Sequence, residues 1–165
     1  MNWCHYRFRS VWELPAPPDT VFTVLARPEE YPRWWPQVRE AARRDERSGT
    51  ARIRSVLPYD IVVTLTERRR DPVARVLETA LAGDIEGWAR WTLTSPGAGR
   101  TRALYEQEVD VRRPLMRRLA VPARPLFRGN HALMMRAGRR GLARTCIRFE
   151  GNGPGPVWFS AFPGD

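Results

Sequence analysis

Lysine is missing from this chain: all 28 basic residues among its 165 are arginine, and they outnumber the acids enough to give a net charge of +10. Such a balance usually raises the prospect of nucleic acid or an anionic surface as partner. Here, however, the arginines are scattered and interleaved with acids, as in "LTERRRDPVARVLET", and form no single basic helix or tail. Nucleic acid is therefore not expected as the main partner, and a basic surface acting on nucleic acid or anionic lipid stands third among the functional readings. Cysteine is scarce too. Cys4 and Cys146 lack the close spacing of a zinc or redox pair, which excludes a disulfide framework and leaves two free thiols as the expectation. With only His5 and His131, a histidine metal cluster is not expected. No apolar run approaches the roughly 20 residues of a membrane span, and "MNWCHYRFRS" has basic and aromatic residues where a secretory leader carries its apolar segment, so a cytoplasmic protein is expected. Nothing forms the local signature of a nucleophilic triad. Gly97 and Gly99 lie in "SPGAGR" without a Walker lysine, so no nucleotide, and no other cofactor, is implied.

What is present is patterned. A hydrophobic share of 42% suffices for one ordinary domain that either fills its core or wraps it around a cavity. "CHYRFRSVWEL" sets Tyr6, Phe8, Ser10 and Trp12 against His5, Arg7, Arg9, Val11 and Glu13, the period-2 signature of a half-buried strand. "PAPPDTVFTVLARPEEYPRWWPQV" then predicts two short helices, the first capped by Asp19 and the second punctuated by Pro28, Pro32 and Pro36. From about residue 38 to 111 six strand-like pieces follow: "VREAARRDE", "TARIRSVL", "IVVTLTERR", "VARVLETAL", "IEGWARWTLT" and "RTRALYEQEVDV". Turn signals divide them at Ser48-Gly49, Pro58-Tyr59-Asp60, Asp71-Pro72, Gly83-Asp84 and Pro96 to Gly99. Links this short exclude parallel crossovers and predict an antiparallel meander.

After Pro114 the pattern turns helical, through "PLMRRLAVPARPLF" with expected interruptions at Pro122 and Pro125, into "LFRGNHALMMRAGRRGLAR". Residues 1–146 read as a single domain and residues 147–165, rich in Gly and Pro, as a tail carrying Trp158, Phe159 and Phe162. Strand, two short helices, six strands and a long helix make an α+β architecture, with a seven-stranded curved antiparallel sheet wrapped around the C-terminal helix.

On a helical wheel Asn130, His131, Met134, Gly138 and Gly141 fall within roughly 60° of Phe127, away from most of the arginines, on the more apolar face. Two strongly polar groups there need either a buried partner or a ligand in a cavity, since an unpaired one costs on the order of 1 to 3 kcal/mol. Tyr105 and Gln107 are candidate partners, because Ala103, Tyr105, Gln107 and Val109 share the more apolar side of the last strand. In the preceding strand Ile85, Gly87, Ala89, Trp91 and Leu93 share a face. Small residues beside large ones there imply curvature or a void, with the helix backbone at Gly138 and Gly141, or a ligand, close above them. Trp34 and Trp35 are adjacent, so one is expected in the core and the other at a rim or cavity entrance.

The element order, together with "PPDTVFTVLARPEEYPRWWPQV", "LAGDIEGWARWTL", "GAGRTRALYEQEV" and "PLFRGNHALMMRAGRRGLAR", resembles the START-like helix-grip superfamily (SRPBCC), and within it the bacterial polyketide cyclase/dehydrase and lipid-transport branch. The resemblance covers about residues 5 to 145. It implies a hydrophobic cavity under the long helix that holds a lipid-like, polyketide or other aromatic ligand, sometimes with chemistry and often without. Ligand contact is thus expected from Trp34, Trp35, Gly87, Trp91, Tyr105, Gln107, Phe127, Asn130, His131 and Met134. A cyclase- or dehydratase-like alternative would use His131 for proton transfer with Tyr105 or Asn130 polarising an oxygen. No family catalytic residue matches a position here, and oligomeric state is left open.

Overall fold

A computed structural model describes residues 4–54, 60–112, 114 and 124–151. Strand β1 (His5–Leu14) leads into helix α1 (Pro18–Leu25), a single 3-10 turn (Pro28–Glu30) and the one-turn helix α2 (Tyr31–Trp34). Strands β2 (Val38–Arg43), β3 (Ser48–Arg54), β4 (Asp60–Asp71), β5 (Val76–Gly83), β6 (Ile85–Gly97) and β7 (Arg100–Val111) follow, and helix α3 (Arg124–Gly151) closes the described chain. The seven strands form one open sheet in the order β1-β7-β6-β5-β4-β3-β2, antiparallel at every pairing. The meander expected from the short links is thus present, with β1 returned to the far edge beside β7.

Several local details differ from the sequence reading, each for an identifiable reason. Asp19 does not cap α1: the cap position is Pro17, which makes no side-chain bond, and Pro18 opens the helix where a missing N–H is harmless. Asp19 instead lies in the first turn, favourable against the helix dipole, and pairs with Arg75 at 3.3 Å. Ser48 and Gly49 are not the β2–β3 turn but the start of β3. The turn precedes them, because the Asp45 carboxylate accepts from the backbone N–H groups of Arg47 at 2.9 Å and Ser48 at 2.7 Å. Gly49 is needed within the strand, since a Cβ there would stand 2.7 Å from the Ala42 carbonyl oxygen. Pro125 does not interrupt α3 either; it sits in the first turn, where proline is accommodated. α3 runs on to Gly151. The Pro58-Tyr59 turn signal, the segment around Pro122 and the tail aromatics Trp158, Phe159 and Phe162 lie outside the described residues.

Apolar side chains gather in two clusters at opposite ends of the concave face. One holds Trp12, Leu14, Val21, Leu25, Trp34, Trp35, Trp91, Leu93, Met135, Leu142 and Cys146. It fastens the C-terminal half of α3 to α1, α2 and the sheet. The other joins Tyr6, Ala51, Val63, Leu81, Ile85, Val109 and Val111. Ala89 is packed against both, which places it on the seam between them.

Candidate functional site

Along β7 burial alternates as the period-2 pattern requires. Ala103, Tyr105, Gln107, Val109 and Val111 are buried on the concave face while Arg102, Glu106 and Glu108 point outward. Gln107 is one of only two polar residues buried outright among the described residues, the other being Thr101, whose hydroxyl is satisfied by the Ala16 carbonyl at 2.7 Å. The Gln107 side-chain oxygen accepts from the Tyr105 hydroxyl at 3.0 Å and from Nε2 of His131 at 3.2 Å. An oxygen acceptor fixes the His131 tautomer, with the proton on Nε2 and a lone pair left on Nδ1. The imidazole also lies flat on Phe8, ring centres 3.8 Å apart and planes 13° from parallel. Burial disfavours its cation and pulls its pKa down to about 4, so His131 is neutral at pH 7. Burial likewise raises the Tyr105 phenol above its ordinary value, keeping it a hydroxyl donor.

Two voids flank this trio. The larger, of about 190 Å³, lies against Leu25, Trp35, Leu77, Ala89, Trp91 and Met134, with Tyr105 and Gln107 on its wall. Its outer end is bounded by charged residues, among them Arg43, Asp45, Glu46, Arg47 and Arg70. Two ion pairs stand at that rim, Arg43 to Glu29 at 3.3 Å and Arg70 to Glu67 at 2.7 Å. The smaller void, of about 100 Å³, is lined by Tyr6, Phe8, Ile61, Phe127, Asn130 and His131 and shares Gln107 and Met134 with the larger one. The interior beneath α3 is therefore hollow on both sides of a polar partition.

Most of the residues expected at a site converge there. Trp35, Trp91, Tyr105, Gln107 and Met134 border the larger void, and Phe127, Asn130, His131, Gln107 and Met134 the smaller. Two do not. Trp34 borders neither void, and the expectation that one of the paired tryptophans stands at a rim is incorrect, for both are buried, at 7% and 5% exposure. α2 ends at Trp34 and the backbone turns extended at Trp35, so adjacent indoles can stack, 5.4 Å apart and 19° from parallel. Trp35 then lies along α3, donating its Nε1–H to the Met134 carbonyl at 2.9 Å. It occupies the room left by Gly138, where a Cβ would stand 2.6 Å from the Trp35 ring. Gly87 borders neither void either. A Cβ at Gly87 would fall 2.0 Å from the Glu108 carbonyl oxygen of the neighbouring strand, so the close approach is within the sheet. Gly138 and Gly141 meet Trp35, Trp12 and Trp34, not Gly87 and Ala89.

Ala89, marked in the sequence as a small residue over a void, does border the larger one, whereas Phe8 and Leu77 were not foreseen as wall residues. For Phe8 a signal existed, since it shares the inner face of β1 with Tyr6 and Trp12. What was lacking was the register, which sets Phe8 directly opposite Gln107.

An open antiparallel sheet that holds a long C-terminal helix over a hollow interior is the helix-grip class of fold. The chain belongs to the polyketide cyclase / dehydrase and lipid transport family, whose sequence profile matches residues 5–146. Among solved structures it is similar to the ZhuI aromatase/cyclase from Streptomyces sp. R1128, with a TM-score of 0.70, 16% identity, and 92% of this chain and 99% of that one covered. A START superfamily protein from Mycobacterium smegmatis gives a TM-score of 0.67 at 16% identity, covering 87% and 98%. Norcoclaurine synthase from Thalictrum flavum, as a point mutant in complex with a transition-state analogue, gives 0.62 at 12% identity, covering 88% and 96%. At such identities the likeness establishes the fold. A search of curated proteins found no match. Among the described residues no helix is long and apolar enough to cross a membrane.

Proposed function

We propose that this protein binds an apolar, ring-bearing or lipid-like small molecule between the sheet and α3, with Gln107, Tyr105 and His131 setting its orientation. The observation that carries the reading is the larger void. Its wall of leucine, alanine, methionine and tryptophan stays unfilled at about 190 Å³, whereas an apolar cavity of about 150 Å³ already admits a benzene ring. Polar groups converging on an otherwise apolar hollow are what orient a small ligand. Gln107, on the wall of both voids, offers its amide, and His131, which borders only the smaller void, offers its Nδ1 lone pair to a ligand hydroxyl reaching that side. Both act as fixed hydrogen-bonding groups, because an imidazole that takes a proton only near pH 4 is a weak base for chemistry at neutral pH.

Ala89 gives the test. It borders the larger void and pairs across the sheet with Thr79 and Gln107. Ala89→Phe places a ring in that space while keeping a residue that suits a strand. Titration with anilinonaphthalene sulfonate is expected to show binding to the parent protein and at least roughly tenfold weaker binding to Ala89→Phe, with the thermal midpoint changed by only a few degrees. Equal affinity in a folded variant would put the probe elsewhere and remove the basis of the proposal.

A further inference from the structure

Contrary to the expectation that the arginines form no single basic helix, the outer face of α3 is basic along most of its length. On the sheet, many arginines are paired with acids across strands, such as Arg7 with Glu108 at 3.0 Å, Arg90 with Glu78 at 2.7 Å and Arg112 with Glu86 at 2.7 Å. Between Leu126 and Ile147, α3 carries arginines at 128, 136, 139, 140 and 144 and no acidic residue. None of these five makes an ion pair among the described residues. The inward side of the helix is fixed by the buried Met135, Leu142 and Cys146. Opposite them, Leu126, Leu133, Arg136, Arg140, Arg144 and Ile147 fall within about 80° of one another, in a stripe about 30 Å long. Its aliphatic members, Leu126, Leu133 and Ile147, are 52%, 62% and 54% exposed and, unlike singly scattered surface aliphatics, stand in one row with the arginines.

We propose that this stripe docks α3 flat on an anionic lipid bilayer, the arginines on lipid phosphates and the three aliphatic side chains in the boundary between headgroups and acyl chains. Charge selects the partner class. A second copy of this face would bring arginine against arginine, and a nucleic acid would satisfy the arginines but leave Leu126, Leu133 and Ile147 without an apolar partner, since bases are gripped by stacking aromatics. A bilayer with anionic headgroups accepts both kinds of side chain at once. The stripe faces away from the sheet, so the proposal stands apart from what the cavity holds.

The test is flotation of the full chain with phosphatidylcholine vesicles made with and without phosphatidylglycerol. The protein is expected to float only with the anionic vesicles. Arg136→Gln/Arg140→Gln/Arg144→Gln is expected to weaken that partition more than tenfold, with an unchanged thermal midpoint and unchanged binding of the cavity probe. Leu126→Ser/Leu133→Ser/Ile147→Ser, which keeps every charge, is expected to lower it as well and to make the remainder more easily displaced by salt. Failure to float with anionic vesicles overturns the proposal. So does a glutamine variant that floats like the parent, a serine variant that is unaffected, or duplex DNA that binds more tightly than the vesicles at equal salt.

Discussion

Replacing Gly141 by alanine is expected to destabilise the protein by about 3 kcal/mol and to lower its thermal midpoint by roughly ten degrees. A Cβ at that position would stand 1.7 Å from the Trp34 carbonyl oxygen and 2.8 Å from its carbon, so a backbone group must move. That backbone cannot yield easily, because Trp34 ends α2 and its indole is wedged between Tyr31 and Trp35, with ring centres 4.8 Å and 5.4 Å away. The intrinsic helix preference of alanine over glycine, about 1 kcal/mol, works in the opposite direction. Gly129 separates the two effects. Nothing lies within 4 Å of a Cβ built there, so Gly129→Ala retains only the propensity gain. Chemical denaturation of both variants measures the difference. If Gly141→Ala were as stable as Gly129→Ala, the seating of α3 against α2 described above would be wrong.

Acidification is expected to cost the folded protein about 3 kcal/mol through His131 alone. Burial pulls this imidazole down to about 4, against about 6.5 in an unfolded chain. Between those values the unfolded state holds a proton that the folded state does not, so stability rises with pH across the window. The contribution is fully present above about pH 6.5 and is lost as the pH falls toward 4. His131→Phe keeps a flat ring against Phe8 and removes the titration. Its stability at neutral pH falls through loss of the bond to Gln107, which then holds only the Tyr105 partner. Its decline between about pH 7 and pH 4 should be shallower than the parent's by about 3 kcal/mol in urea unfolding. Parallel declines would mean that His131 is not buried neutral.

Features governed by a single periodicity were legible in the sequence. The inner faces of β1, β6 and β7 followed from alternation, because successive side chains of a strand point to opposite sides of the sheet. The placement of Phe127, Asn130, His131 and Met134 toward the sheet followed from helical spacing. That wheel was incomplete in one respect. The C-terminal half of α3 buries Met135, Gly138, Leu142 and Cys146, a face turned from the one that borders the voids, because α1 and α2 cover it there. Features set by two segments meeting were not legible. Phe8 reaches His131 and Gln107 only through the β1–β7 register, and Gly87 is required by the path of Glu108. Trp34 and Trp35 can both be buried only because a one-turn helix ends between them. The polar residues at 107 and 131 were visible as anomalies on apolar faces, whereas the fact that they satisfy each other at a partition between two voids depends on distances that no spacing rule supplies.

The hollow between Trp35, Ala89, Trp91 and Met134 is the centre of this account. Its most direct test is a crystal structure of the protein soaked with a tricyclic aromatic ketone at concentrations where calorimetry shows binding. Density for the ring system is expected in the larger void, with its carbonyl oxygen within hydrogen-bond distance of the Gln107 amide. A void closed by the side chains of Trp35 and Met134, with the ketone bound at another surface, would contradict it.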